Sequence, residues 1–240
     1  MKVSVKNTVL SCEHASHSIP AAYRQLFAGS RDQLISHRGW DPGALACAMR
    51  LASKLHLPLI KGSCSRLLID LNRSLHHQQV FSEYTRALPI LTRLSIINNV
   101  YHPYRERLRQ SISRCIAKHG FALHLSLHTF TPVLNGSQRN ADIGILYDPR
   151  RKYEKAVAVR LQSCLATLEP ELKIRRNYPY RGVTDGVTTQ CRRDFTGQVY
   201  AGLEIEINQK IPLSGERGLW RRLQNNVLLA LTGIISQSAG

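Results

Sequence analysis

The stretch FALHLSLHTF, residues Phe121–Phe130, decides the fold because it predicts a strand at the centre of a sheet. Apolar and polar side chains alternate along it, and a period of two is characteristic of β-structure. The stretch ends with His128, Thr129 and Phe130. Open α/β proteins place their binding sites beyond the carboxyl ends of such strands. The sequence therefore predicts a central strand and a functional edge of the sheet.

Other short apolar runs predict further strands. They are Thr8–Cys12, Pro58–Gly62, Arg66–Leu71, Asp142–Asp148, Lys173–Arg176 and Tyr200–Asn208. Apolar residues at helical spacing predict helices between these strands. The helices are Pro42–His56, Ile90–His119 with a break or kink at Pro103, Lys152–Leu168 and Glu216–Ser236. Residues Asn177–Thr189 are rich in Pro, Gly and Asp and predict a loop.

This succession of elements predicts the fold class. Strands that alternate with helices form a parallel or mixed sheet that is covered on both faces. We therefore predict a three-layer α/β fold with a mixed, mostly parallel central sheet and helices on both faces. The sequence contains no internal repeat, low-complexity tract or linker, so we expect residues 1–240 to form one domain.

Positive charge is the unusual feature of the composition. The chain has 33 Lys and Arg residues against 16 Asp and Glu, which gives a formal net charge of +17. Such a surface attracts anionic substrates and, in other proteins, nucleic acid. The basic residues form only short clusters, without a basic tail, so nucleic-acid binding is not favoured as the main function.

Cysteine usage and hydropathy predict a cytoplasmic protein without a membrane span. The six cysteines are scattered and form no CxxC pair, which is typical of reduced thiols. No run approaches the roughly 18 apolar residues of a membrane helix. The first residues, MKVSVKNTVLSCEH, become polar and charged too early for a signal peptide. The sequence does not indicate an oligomeric state.

Two histidines at predicted strand ends are candidate metal ligands. His14 follows the first strand, and His128 lies near the end of the central strand. A catalytic zinc uses histidine and carboxylate ligands and keeps one position open for water or substrate. Asp41, in the segment HRGWDPG, is our choice for the third ligand. The alternatives are Glu13, His17 and His37.

Asp41 also has a purely structural interpretation. It immediately precedes Pro42, which suits the first turn of the predicted helix, so its carboxylate could cap that helix. The sequence leaves both roles open.

Carboxylates and arginines elsewhere complete the candidate site. Glu204 and Glu206 share one face of the last strand, and a buried carboxylate pair is costly unless a metal, a proton or an arginine relieves it. Asn72 and Arg73 follow a predicted strand that begins at Arg66, and arginine there suits a bidentate grip on a substrate carboxylate. Arg139, in a polar loop before another strand, is a further candidate for carboxylate binding.

Seven short motifs, in order, resemble those of the N-formylglutamate amidohydrolase family. They are CEHASHSIP (12–20), HRGWDPGA (37–44), SRLLIDLNR (65–73), LSLHTFTP (125–132), RNADIGILYD (139–148), RRNYPYRGVTDG (175–186) and GLEIEINQ (202–209). Each motif alone is short and loose, but the series runs from about Val9 to Gln209 and covers nearly the whole chain.

The resemblance implies a fold and a set of roles. The family is related to the zinc carboxypeptidases, so it implies a phosphorylase/hydrolase-like fold and a zinc-dependent amidohydrolase. The implied roles are His14, Asp41 and His128 as zinc ligands, Glu206 as general base, Arg66 as the donor to the oxyanion, and Asn72 and Arg73 as the carboxylate-binding pair. The carboxypeptidase His-x-x-Glu pair is absent, since His17 stands three residues after His14. Asp41 as a ligand therefore rests on its Trp-Asp motif.

The expected reaction is hydrolysis of a small carboxylate-bearing amide by metal-activated water. The substrate is an N-formyl or N-acyl amino acid such as N-formylglutamate, or a small peptide. One alternative is a basic nucleic-acid- or polyanion-binding protein on a hydrolase fold. A second is a hydrolase directed at the cell wall, in which the same zinc site cleaves a peptide.

Overall fold

The computed structural model describes residues 4–236. Its strands are β1 Thr8–Cys12, β2 Leu59–Lys61, β3 Ala122–Phe130, β4 Val133–Leu134, β5 Ser137–Gln138, β6 Ile143–Leu146, β7 Ile174–Arg176 and β8 Tyr200–Asn208. Six of them form a sheet in the order β2-β1-β3-β8-β6-β7, and β4 pairs with β5 in a separate antiparallel hairpin. Neighbours in the large sheet are parallel except β6 and β8. The predicted mixed, mostly parallel sheet is confirmed.

Helices cover both faces of this sheet. They are α1 Arg31–Ile35, α2 Ala44–Leu55, α3 Ile90–Ile96, α4 His102–His119, α5 Lys152–Leu168, α6 Val187–Asp194 and α7 Arg217–Ser236. Helices α2, α5 and α7 share one apolar core with the sheet, whereas α4 and α6 share a second one with it. The three-layer α/β fold is therefore confirmed. No helix within residues 4–236 is long and apolar enough to cross a membrane.

The alternating side chains of β3 face the two helical layers on opposite sides of the sheet. Its apolar positions join the core beneath α2, α5 and α7: Leu123, Leu125 and Leu127. Successive side chains of a strand point to opposite faces, so His124, Ser126 and His128 point toward the other layer. All three polar side chains are buried there. In β3 the alternation therefore places apolar side chains in a core on one face of the sheet and polar side chains in a second buried layer on the other face. Neither face of the strand is exposed to water.

The segment Arg66–Leu71 is not a strand, which corrects the prediction. It forms turns, although Leu68 and Ile69 are completely buried. Side-chain hydroxyl groups satisfy its backbone, because Ser82 and Thr85 donate to the carbonyl oxygens of Leu67 and Leu68. A buried apolar run can therefore lie in a loop when nearby hydroxyl groups replace the partner strand.

The other predicted elements agree with the structure apart from their ends. The long helix of residues 90–119 is interrupted by a π-helical turn, Ile97–Tyr101, just before Pro103 in the first turn of α4. Proline lacks a backbone N–H and cannot continue the regular ladder, which accounts for the predicted irregularity. The loop expected at Asn177–Thr189 ends at Gly186, because α6 begins at the next residue, Val187.

A buried ion pair fixes the segment that precedes α6. Arg192 donates through Nε to both carboxylate oxygens of Glu154, at 3.0 and 3.1 Å, and Glu154 is fully buried. The same guanidinium donates to the carbonyl oxygens of Gly182 and Gly202. Glu154 also accepts from the backbone N–H of Asp148 and of Gly202. One pair thus joins α5, α6, β8 and the 177–186 loop.

Replacing Glu154 with Ala is expected to lower the free energy of unfolding by about 3–5 kcal/mol, because it leaves a buried guanidinium without its counter-charge. Chemical denaturation monitored by circular dichroism measures the change. In the pair of Arg150 with Asp148 the guanidinium is exposed to solvent, so Arg150→Ala supplies the control and should have little effect. Equal losses in the two variants would contradict this account.

Candidate metal centre and active site

The candidate site lies at the carboxyl ends of β1, β3 and β8. His14 follows β1 by two residues, and His128 and Glu206 lie near the ends of β3 and β8. The strand register sets His128 directly beside Glu206. Side chains at i and i+2 share a face, so Glu204 points to the same side as Glu206. The sheet thus assembles the polar edge that the sequence predicts.

His14, Asp41 and His128 converge on one point. The ligand atoms that they offer all lie within 4.8 Å of one another, and the three side chains are buried. Asp41 Oδ2 lies 3.2 Å from His14 Nδ1 and 2.8 Å from His128 Nδ1. Two imidazoles and one carboxylate around a common point are a ligand set that a catalytic zinc accepts. The fold therefore brings together the three predicted ligands.

The backbone around Asp41 favours this role over helix capping. Helix α2 begins at Ala44, and Ala44 N–H donates to the main-chain oxygen of Asp41, not to its carboxylate. The main-chain N–H of Asp41 donates to the carbonyl oxygen of His14 at 3.0 Å, which ties the two segments together. The carboxylate is thus free to face the two imidazoles.

The three alternative ligands lie elsewhere. Glu13 is completely buried, but it contacts the far side of the His128 ring. His17 is exposed and packs against Trp40, with ring centroids 5.1 Å apart. His37 is exposed as well. Their positions do not offer a further atom to the convergence point of the three ligands.

Two further carboxylates hold the outer nitrogens of the histidines. His14 Nε2 lies 2.8 Å from Asp70 Oδ1, and His128 Nε2 lies 3.0 Å from Glu13 Oε2. The Asp70 carboxylate also accepts from Arg66 Nη2 at 2.7 Å. The sequence analysis considered Glu13 only as an alternative metal ligand and Asp70 only as part of the motif SRLLIDLNR, and it did not predict that either would contact the outer nitrogen of a histidine.

The charges of this cluster depend on one another. Burial opposes ionisation of Asp41, but contacts with His14 and His128 outweigh it and lower the pKa of the carboxyl group. Burial likewise opposes protonation of His128, but hydrogen bonds to Asp41 and Glu13 raise its pKa well above the usual value. Without a metal, ionised carboxylates therefore surround protonated imidazoles.

Glu206 is in a different environment. Burial raises its pKa to about 7, and the negative charges of Asp41 and Glu204 add to this effect. Among the described residues, Glu206 Oε2 has no hydrogen-bond partner, although the side chain is only 5% exposed. A carboxyl group that titrates near neutral pH and keeps a free oxygen is suited to accept and return a proton.

These groups line a cavity that is open to solvent. Its lining includes the predicted site residues Arg66, Asn72 and Arg73. Arg139 does not line it. Arg139 donates to the Tyr180 hydroxyl at 2.8 Å and lies over that ring, and Tyr180 is a cavity residue. Arg139 therefore contacts a residue of the cavity lining without lining the cavity itself.

Four more lining residues were not predicted from the sequence as site residues: Thr129, Tyr180, Thr184 and Asp185. Three of them lie in the loop before α6, within the motif RRNYPYRGVTDG, whose individual residues were assigned no role from the sequence. Thr129 neighbours His128 in the chain, so its position next to a ligand was the one available signal.

An open α/β sheet with a polar cavity at its carboxyl edge is the architecture of an enzyme of the α/β class. The family model described as N-formylglutamate amidohydrolase matches residues 6–211, so the chain belongs to that family. It is accordingly a hydrolase that acts on carbon–nitrogen bonds other than peptide bonds. The resemblance noted from the seven motifs is thus confirmed.

Solved structures share the fold. A gene product of Agrobacterium tumefaciens is 28% identical, with a TM-score of 0.77 over 99% of this chain and 95% of that one. An N-formylglutamate amidohydrolase of Ralstonia eutropha is 17% identical, with a TM-score of 0.74 over 99% of this chain and 94% of that one. Comparison with curated protein sequences found no significant match.

In the metal-free protein, Glu206→Gln is expected to raise the free energy of unfolding at pH 8.5 and to change it little at pH 5. The pKa of Glu206 rises on folding from 4.5 to about 7, so its contribution to stability is present at low pH and is lost as pH rises through 7. The difference at high pH should be about 1–3 kcal/mol. Urea unfolding of chelator-treated protein at both pH values measures it. The same difference at both values would contradict the interpretation.

Proposed function

We propose that this chain is a zinc-dependent amidohydrolase that cleaves an N-formyl or N-acyl amino acid, such as N-formylglutamate. Membership of the amidohydrolase family supports the type of bond. The convergence of His14, Asp41 and His128 is the single observation on which the proposal of a zinc ion rests. The cavity beside them is open to solvent and is lined by Arg66 and Arg73, which suit a small amide that bears a carboxylate.

The residues fit a zinc ion in number and in charge. Two histidine nitrogens and one carboxylate leave an open position in a tetrahedral site, as catalytic zinc requires. With neutral imidazoles, the buried carboxylates of Glu13, Asp41 and Asp70 outnumber the guanidinium of Arg66. Buried negative charge is costly without compensation, and a divalent cation supplies it.

Zinc bound by these residues would act as a Lewis acid and lower the pKa of water toward roughly 7. Glu206 then accepts the proton of the attacking water through its unpaired Oε2. The water oxygen bonds to the carbonyl carbon, Glu206 returns the proton to the leaving nitrogen, and the carbon–nitrogen bond breaks. The products are a carboxylate, which is formate for an N-formyl substrate, and a free amine.

The basic residues of the cavity bind and orient the substrate. Arg66 is fixed at one nitrogen by Asp70, and its Nη1 lies 3.7 Å from Asp41 Oδ1. A donor beside the ligand cluster stabilises the developing oxyanion, typically by about 3 kcal/mol. Asn72 Oδ1 accepts from the N–H of Val187 at 2.7 Å, which leaves the amide nitrogen as a donor. With Arg73, Asn72 holds the substrate carboxylate.

Glu206→Gln is expected to lower turnover of N-formylglutamate by about 10²–10⁴-fold, because the general base is lost, and to leave zinc content near one ion per chain. The His14→Ala/His128→Ala double variant should lose the zinc. Elemental analysis and a coupled assay of released amine measure the two quantities on the same preparations.

A buried glutamate outside the cavity supplies the matched control. Glu169 is buried and accepts from Asn226, so Glu169→Gln should retain turnover. Retained turnover in Glu206→Gln would remove that residue from the mechanism. Wild-type protein that takes up no zinc after reconstitution would contradict the proposal, and salt-sensitive binding to nucleic acid would then support the alternative function. N-acyl amino acids and short peptides, assayed in parallel, distinguish the substrate classes.

A further inference from the structure

Each histidine of the candidate metal centre is bonded on its outer nitrogen to a different buried carboxylate. Asp70 holds Nε2 of His14, and Glu13 holds Nε2 of His128. An ionised carboxylate only accepts hydrogen bonds, so each contact requires a proton on Nε2. A neutral imidazole with its proton on Nε2 presents a lone pair on Nδ1. Both Nδ1 atoms face Asp41.

We propose that Glu13 and Asp70 are positioning residues that assign Nδ1 of both histidines to the metal. The inference rests on the proposed zinc site and extends it to two residues that do not offer an atom to the ion. A carboxylate on the outer nitrogen fixes the tautomer and the ring orientation and makes the imidazole a stronger ligand.

Glu13 is built into the protein in a way that suits this role. Its side chain is completely inaccessible to solvent. Tyr104, from α4, donates to Oε1 at 2.6 Å, and Ser126 donates to Oε2. These contacts hold the carboxylate in register with His128, which also lies 2.9 Å from Ser126 Oγ. Burying an ionised carboxylate costs free energy unless an opposite charge or a hydrogen-bond donor compensates it. The partner of Glu13 is the imidazole of His128, not an arginine or a lysine.

Asp70 also holds Arg66, a contact that Glu13 does not make. Its Oδ1 contacts His14, and its Oδ2 accepts from Arg66, so one carboxylate orients both a metal ligand and the proposed oxyanion donor. Its backbone N–H is tied to the carbonyl oxygen of Val80. Loss of either residue should therefore weaken metal binding, and loss of Asp70 should in addition release Arg66 and lower turnover further.

Zinc affinity, measured by competition with a chromophoric chelator, tests the assignment. We expect Glu13→Gln and Asp70→Asn to weaken zinc binding by about 10–100-fold relative to wild type, the usual effect of removing such a carboxylate. At saturating zinc, kcat should be lower in Asp70→Asn than in Glu13→Gln, because only the former also removes the anchor of Arg66.

Two matched pairs of variants separate this role from loss of stability. Tyr104 and Tyr200 are both buried, but the Tyr104 hydroxyl bonds to Glu13 and the Tyr200 hydroxyl to His124. Tyr104→Phe should weaken zinc binding and Tyr200→Phe should not. Likewise Asp142 is buried and accepts from Lys173, away from the cluster, so Asp142→Asn is the control for Asp70→Asn.

Long-range proton–nitrogen NMR spectra of the zinc-loaded protein give a readout independent of activity. The assignment predicts a proton on Nε2 and zinc on Nδ1 for both rings. Zinc on Nε2 of either ring would overturn the inference. So would affinities of Glu13→Gln and Asp70→Asn that match those of the controls. Wild-type protein without zinc affinity would instead overturn the proposed function, and the inference with it.

Discussion

Strands β3 and β8 pair over nine residues, from Ala122 with Tyr200 to Phe130 with Asn208, and the site depends on this register. The pairing aligns His128 with Glu206 and places the polar positions of both strands on one face of the sheet. A shift by one residue would turn those positions into the apolar core beneath α2, α5 and α7. The apolar residues that alternate with them oppose such a shift, so core packing and site geometry are specified by the same pattern.

The polar layer that results is strongly charged for a protein interior. Buried carboxylates at 13, 41, 70, 204 and 206 lie on or near one edge of the sheet. Protonated imidazoles offset part of this charge without a metal, and a divalent cation can take their place. The overall charge of +17 has the opposite sign. A surface of this charge attracts anions in general, and two arginines, Arg66 and Arg73, line the cavity itself.

The strands of the sheet could be predicted from the sequence because the spacing of apolar residues reflects which positions face a core. The sequence also predicted that His14, His128 and Glu206 would be neighbours, since carboxyl ends of parallel strands meet at one edge, whereas Asp41 was chosen from its segment HRGWDPG at a helix start. It mistook residues 66–71 for a strand, because an apolar run does not reveal whether its hydrogen-bond partner is a strand or a hydroxyl group. One domain over residues 1–240 and a cytoplasmic location remain predictions.

The supporting residues were less accessible to sequence reasoning. Glu13 and Asp70 acquire their importance from contacts across the fold, with His128 and His14, that local spacing does not encode. Arg139 contacts the rings of Phe130 and Tyr180, and its predicted role in carboxylate binding stays a prediction. In both cases the environment of the side chain, and not its type, decides what it can do.

The ligand segments are far apart along the chain: 27 residues separate His14 from Asp41, and 87 separate Asp41 from His128. A zinc finger, by contrast, gathers its ligands within a short segment that the ion itself can order. Here more than half of the polypeptide must be synthesised before His128, the third candidate ligand, is present. Strand β1 must also pair with β3 to bring His14 beside it. In the proposed zinc site, the ion would therefore bind a scaffold that has already folded, and it would not nucleate folding.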